Sequence, residues 1–292
     1  IPVLRLPRGG HLPGFDIGMV AQRNASAAGR FWSSIDAMDS WKARIRIDHP
    51  CWNGYRGFLD HLDAAAFPSP AVLSQLLSPG LQSHAGRPVR FMPAAEIPGI
   101  AYEKHLFETG QVSTREDSWH DLFNALAWCR LPRLKAAMNA VHYRHLDEAR
   151  NGRRGNQRDA LTLLDESGVV VVSSNGSLLQ ALAARDWPKA FVDCREAWAG
   201  MTKVLVCGHA ILEKFLDPYK ALTAHALYLH SSDPLSIPEV DELLAESLLE
   251  GELISSSKDL SPLPLMGIPG WWNSGPQDEA FYADRGVFRP PR

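Results

Sequence analysis

The run Gly168-Val169-Val170-Val171-Val172 narrows what this chain can fold into more than any other stretch. Adjacent valines bounded by Gly and Ser read as a β-strand. Further strands are expected at Lys203-Val204-Leu205-Val206 and, among Gly/Pro breakers, at Val89-Arg90-Phe91-Met92. Just before the valines, Ala160-Leu161-Thr162-Leu163-Leu164 reads as another strand. The intervening Asp165-Glu166-Ser167-Gly168 has hairpin-turn chemistry, with a glycine able to adopt positive φ. The sequence therefore predicts a β-hairpin here. Alternation would put Asp159, Leu161 and Leu163 on one face of its first strand, and Arg158, Ala160 and Thr162 on the other.

Helical signals surround these strands. Thr114-Arg115-Glu116-Asp117 reads as a helix start capped by Thr114, and Trp119, Leu122, Phe123 and Leu126 follow as an apolar stripe. Pro132 breaks that helix and opens the next, over roughly 133–148, with Leu134, Ala137, Met138 and Val141 inward. Further helices are expected after Ser177, around 187–198, at 209–216 and at 237–249, while 222–229 fits either a strand or a helix. Strands adjoining helices without strict alternation predict an α+β fold: a mixed β-sheet with a β-hairpin, packed against several helices.

Composition sets the class. Of 292 residues, 45% are apolar and 22% charged, which excludes a disordered chain. With 30 Lys+Arg against 33 Asp+Glu the net charge is −3, so no nucleic-acid partner is expected. No polybasic run or long apolar stretch points to a membrane. Cys51, Cys129, Cys194 and Cys207 form no C-x-x-C pair and read as free thiols in a reducing compartment. The first residues lack the apolar segment of a secretory signal, so a cytoplasmic location is expected. Residues 1–30, rich in Gly and Pro, read as an extended or poorly ordered arm. Residues 31–292 read as a single α+β domain, helical to about residue 98, with the motif-bearing core over 99–292. A basic loop is expected at 152–155, and a Pro- and aromatic-rich tail from Leu260 wraps the body.

Several blocks resemble a bacterial family, domain of unknown function family 3025. They are Thr-Arg-Glu-Asp-Ser-Trp-His-Asp-Leu-Phe-Asn-Ala-Leu-Ala-Trp from Thr114, Arg-Asp-Ala-Leu-Thr-Leu-Leu-Asp-Glu-Ser-Gly from Arg158, and Gly-His-Ala-Ile-Leu-Glu-Lys from Gly208. Pro-Tyr-Lys-Ala-Leu-Thr-Ala-His from Pro218, Gly-Ile-Pro-Gly-Trp-Trp from Gly267 and Phe281-Tyr282 also fit. The resemblance runs from about Tyr102 onward and implies no reaction.

The chemistry must come from the side chains. Asp117, His120, Asp121, Asn124 and Trp128 share one side of the first predicted helix. Such a face could hold an imidazole base, an orienting carboxylate and an amide around a substrate, or it could be a plain solvated face. His209 follows Gly208 where a strand hands over to a helix, a position that suits a binding crevice. Ser173 to Ser177 is a second strand-to-helix passage; beside His209 it would complete an anion-binding cleft, and otherwise it is ordinary capping. Asp165 and Glu166 are assigned to the turn, and Glu213 to a helix face. The leading expectation is a hydrolase- or lyase-type enzyme acting by acid/base chemistry on a small anionic molecule. His120, Asp121, Asp159 and His209 are its catalytic candidates, with His120 oriented by Asp121 or Asp159. Glu103, Asn124, Arg158 and Lys214 are its ligand-binding candidates, although Glu103 equally suits a salt bridge with Arg115. No metal is assigned; a variant has His120, Asp121 and His209 hold one. The alternative is a non-catalytic ligand-binding or scaffold protein with buried polar networks. His120 and His209 are expected to face one common cavity.

Overall fold

A computed structural model describes residues 4–5, 40–97, 99, 101–146 and 155–290. Nearly all of the arm expected at 1–30 and most of the loop expected at 152–155 therefore lie outside the described residues. The fold is α+β. Its main sheet is mixed, with strands β1 (Leu4–Arg5), β4 (Gly168–Ser173), β5 (Thr202–Val206), β6 (Thr223–His230) and β7 (Ser261–Pro264). The order is β1-β6-β4-β5, with β7 also on β6. β4 and β6 run parallel, with Val170 opposite Leu227, whereas β5 is antiparallel to β4, with Val169 opposite Val206. A parallel pair, β2 (Arg90–Pro93) and β3 (Gln111–Thr114), forms a small second sheet.

The valine run follows from burial on both faces. Val169 and Val171 face one apolar cluster, together with Phe123, Leu126, Ile211 and Leu212. Val170 and Val172 face the other, with Leu134, Ala160, Leu161, Leu164, Val240 and Leu244. A strand covered on both sides has no polar side to alternate, hence a continuous apolar run. The tail joins the first cluster through Leu263, Leu265, Met266, Ile268, Trp271, Phe281, Tyr282 and Phe288. The four cysteines are free. Among the described residues, no helix is long and apolar enough to cross a membrane.

The expected hairpin is absent. Residues Asn156–Ser167 form one helix that runs straight into β4. Ala160, Leu161 and Leu164 are its buried positions, a helical spacing that short-range alternation disguised. Gly168 makes no positive-φ turn; its φ is −79° and its ψ 147°, extended backbone. Its missing side chain serves close packing instead, because a Cβ there would strike the Leu164 carbonyl and the Cys207 sulfur. Gly208 is under the same constraint from the Gly168 nitrogen, the Ser167 Cα and the Glu166 carbonyl. The Gly168 carbonyl accepts hydrogen bonds from the amides of Cys207 and Gly208 (3.0 and 2.9 Å). Two facing glycines thus draw the end of the Asn156–Ser167 helix onto the segment leaving β5.

A second boundary moves. Thr114 ends β3, and the next helix is Trp119–Arg130, capped by Ser118, whose Oγ accepts from the Asp121 amide. Asp117 lies outside it in a left-handed conformation (φ 51°), so it drops off the predicted face. Pro132–Arg144 follows, and its cap comes from far away. Asp241, on the Ile237–Leu249 helix, accepts from the amides of Arg133 (3.0 Å) and Leu134 (2.9 Å). A carboxylate there satisfies orphan amides and complements the helix dipole.

Candidate functional site

The facing glycines fix the site. Glu166 ends the Asn156–Ser167 helix, and His209 opens the short helix His209–Lys214 immediately after Gly208. Both sit where β4 begins and β5 ends. His120, in the first turn of Trp119–Arg130, meets them from the apolar layer on the other side of the sheet from Leu161 and Leu164. The His120 and His209 Nε2 atoms lie 2.9 Å apart, with the rings nearly perpendicular at 83°. Glu166 Oε2 is 3.4 Å from His209 Nε2. One donor atom from each of His120, Glu166 and His209 falls within 4.8 Å of the others, so these three could hold a metal ion.

Each imidazole also faces a carboxylate on its far side. His120 Nδ1 is 3.4 Å from Glu213 Oε2, and His209 Nδ1 is 3.9 Å from Asp165 Oδ1. The second distance is too long for a hydrogen bond, and His209 Nδ1, fully buried, has no hydrogen-bond partner. The His209 side chain is 5% exposed, whereas His120, Glu213 and Glu166 are 33%, 43% and 44% exposed. The group is therefore closed at its base and open at its rim.

Behind it runs a buried polar chain. Lys135, 6% exposed, donates to Asp165 and to Asn124 Oδ1 (2.9 Å), and its ammonium stands 5.7 Å from the Trp128 ring centroid. Burial alone would raise the Asp165 carboxyl, but Lys135, His209 and His142 together hold the group below the usual range. The hydrogen bond with His209 likewise lowers Glu166. Farther in, Asn139 Nδ2 donates to Glu103 Oε2 (2.6 Å), yet burial pushes the Glu103 carboxyl up to about 7. Burial also drives His142 down to about 4, a neutral imidazole inside the protein. The Arg158 Nε is buried without a hydrogen-bond partner, and its charge acts on both Glu103 and His142.

The structure thus brings His120 and His209 together and gathers Asn124, Glu103 and Arg158 along the chain behind them. Other expected assignments change. Asp121 does not orient His120: it is buried and held by Arg115, which donates from its amide (2.6 Å), Nε (2.9 Å) and Nη2 (2.8 Å). That ion pair takes Arg115 from Glu103, whose partner is Asn139. Asp159 is exposed in the first turn of Asn156–Ser167, an acid suited to a helix start, because the strand alternation that aimed it inward does not exist. Lys214 is exposed, and its charge acts on His225. The passage at Ser173 to Ser177 lies at the opposite end of β4 from His209, and Asn175 caps its helix by accepting from the Leu178 amide (2.9 Å). No common cleft forms there.

Reading a turn hid Asp165 and Glu166. Helical spacing would have placed Asp165 one turn from Leu161 on the buried side. Lys135 carried a signal too: a lone cation beside Leu134, Ala136 and Ala137 on a helix with a buried stripe. A separate cleft of about 750 Å³ lies along β5, between Tyr55, Arg130, Trp198 and Trp271; it contains none of these histidines.

The sequence profile of a family described as "Protein of unknown function (DUF3025)" matches residues 89–292. The chain belongs to this family. The matched span covers His120, Glu166, His209 and Glu213, so the whole histidine group lies inside the family region. No curated protein and no solved structure matches the chain.

Proposed function

We propose that the protein is an enzyme of hydrolase or lyase type that acts by acid/base chemistry on a small anionic substrate at the His120–His209 pair. The observation that carries this reading is the meeting of two imidazoles 89 positions apart, Nε2 to Nε2 at 2.9 Å, each backed by a carboxylate. An imidazole can donate from one ring nitrogen while accepting at the other, which is what proton transfer requires. The open rim at His120 and Glu166 supports substrate access. The preference for an anion is supported by the amino-terminal end of the twelve-residue helix that carries His120.

The test is a turnover screen of the purified chain over phosphate esters, carboxylate esters and small hydroxy- and amino-acids. One class should be turned over, and His120→Ala and His209→Ala should each lose about 100-fold or more of that activity while folding normally. Absence of turnover in every class, or full activity in both variants, would leave the polar network with a structural role.

A further inference from the structure

We infer that His120, Glu166 and His209 bind one divalent first-row transition-metal ion, with Glu213 as the carboxylate that orients the His120 imidazole. The inference deepens the proposed function, resting on the same site, and names the cofactor that would work there. A carboxylate beside Nδ1 favours the tautomer with its proton on that nitrogen. Glu213, 3.4 Å from His120 Nδ1, favours that tautomer of His120, whereas Asp165, 3.9 Å from His209 Nδ1, lies beyond hydrogen-bonding distance; both Nε2 atoms face away from these two carboxylates. The two Nε2 atoms stand 2.9 Å apart, with the Glu166 carboxylate 3.4 Å from that of His209. Two imidazole nitrogens and a carboxylate oxygen converging on one point form a donor set for a metal ion, which would take the place of the proton that the two Nε2 atoms otherwise share.

The distances suit such an ion. Donors about 2.1 Å from a common metal, the usual length for imidazole nitrogen and carboxylate oxygen, subtend roughly 90° when 2.9 Å apart and roughly 110° when 3.4 Å apart. Both angles are normal in four- to six-coordinate sites. Two imidazoles and a carboxylate select transition ions over magnesium or calcium, which prefer oxygen shells. Glu213 on the non-coordinating nitrogen of His120 matches the recurrent outer arrangement of such centres. The open rim leaves positions for water or substrate. A metal-bound water, made acidic by the ion, would supply a nucleophile or base near neutral pH.

The sequence hid this set because each ligand comes from a different element. Glu166 and His209 are joined only by the close approach of Gly168 and Gly208, and His120 arrives from another helix. Asp121, the neighbour that seemed the natural third ligand, is committed to Arg115.

Calorimetric titration of the chelator-stripped full chain with Zn²⁺, Co²⁺, Mg²⁺ and, anaerobically, Fe²⁺ tests the inference. One Zn²⁺, Co²⁺ or Fe²⁺ per chain is expected, the tightest of them naming the ion, with Mg²⁺ at least 100-fold weaker. Bound Co²⁺ should show visible d–d bands. H120N and E166Q should each weaken Zn²⁺ binding about 100-fold, and E213Q, which removes an orienting carboxylate and no ligand, about 10-fold. Zn²⁺ should also raise the melting temperature of the native chain but not of H120N. Failure to bind any transition ion, equal affinity for Mg²⁺, or undiminished binding by H120N and E166Q overturns the metal site. Metal binding without turnover keeps the site and removes the enzyme reading. Turnover unaffected by chelator, with no ion bound, does the reverse.

Discussion

Replacing Gly208 by alanine probes the joint on which the site depends. A Cβ at Gly208 would meet three atoms of the opposing backbone: the Gly168 nitrogen, the Ser167 Cα at 2.6 Å and the Glu166 carbonyl oxygen at 2.7 Å. None of them is the far end of a flexible side chain, so the two segments must separate. Overpacking of this kind costs about 1–3 kcal/mol, and a clash with backbone belongs at the upper end, near 3 kcal/mol. At ~2.1 cal/mol/K of unfolding entropy per residue, a chain of 292 residues changes stability by about 0.6 kcal/mol per degree. The melting temperature should therefore fall by about 5 °C in differential scanning calorimetry. The same displacement pulls Glu166 from His209, so Zn²⁺ binding should weaken even below the melting range. Gly57→Ala is the control. It lies within the Arg56–Asp60 helix with nothing within 4 Å of its added Cβ, and should hold or gain up to ~1 kcal/mol. A Gly208→Ala protein melting within about 1 °C of the native chain, with unchanged metal affinity, would refute the close-approach argument.

Other expectations follow from the buried charges. Lys135→Met strands the Asp165 carboxylate and should cost about 3–5 kcal/mol in urea unfolding, whereas Lys135→Met with Asp165→Leu should recover most of it. A double variant as unstable as the single one would contradict the pair's role. Asp241 is held up at about 6 chiefly by burial, against the hydrogen bonds from the Leu134 and Arg133 amides and the Arg133 charge. The folded chain therefore binds that proton more tightly than the unfolded chain. Between about pH 4 and 6 this group makes stability fall as pH rises, by at most about 1.4 kcal/mol per pH unit, and the contribution is lost above the folded value. Asp241→Asn should remove that slope in denaturation curves collected across the window; an unchanged slope would assign it to another group.

Much of the architecture is legible in local patterns. The valines, the Lys203–Val206 run, the stripe of Trp119, Leu122, Phe123 and Leu126, and the Ile237–Leu249 helix announce themselves because each element's own periodicity matches its burial. The α+β class follows from them. Where two local signals compete, the sequence misleads. Asp-Glu-Ser-Gly suits a turn, and Leu161, Leu163 suits alternation, yet Ala160, Leu161 and Leu164 also fit one helical face. Only packing against β4, β6 and the helices Pro132–Arg144 and His209–Lys214 decides for the helix.

The candidate site divides along the same line. His209 stands out in the sequence because a helix start rarely asks for histidine, and His120 because it lies beside the apolar stripe on a face shared with Asn124. Their partners do not stand out, since every carboxylate looks alike until its neighbours are known. Asp121 sits next to His120 in the chain and belongs to Arg115, while Glu213 lies 93 positions away and faces the ring. Residue types and helix periods are local properties, so the sequence determined which groups were available and which elements carry them. Which carboxylate meets which imidazole depends on the approach of two glycines and three helices. That approach is set by side-chain volume across the whole core, and only the tertiary structure decided it.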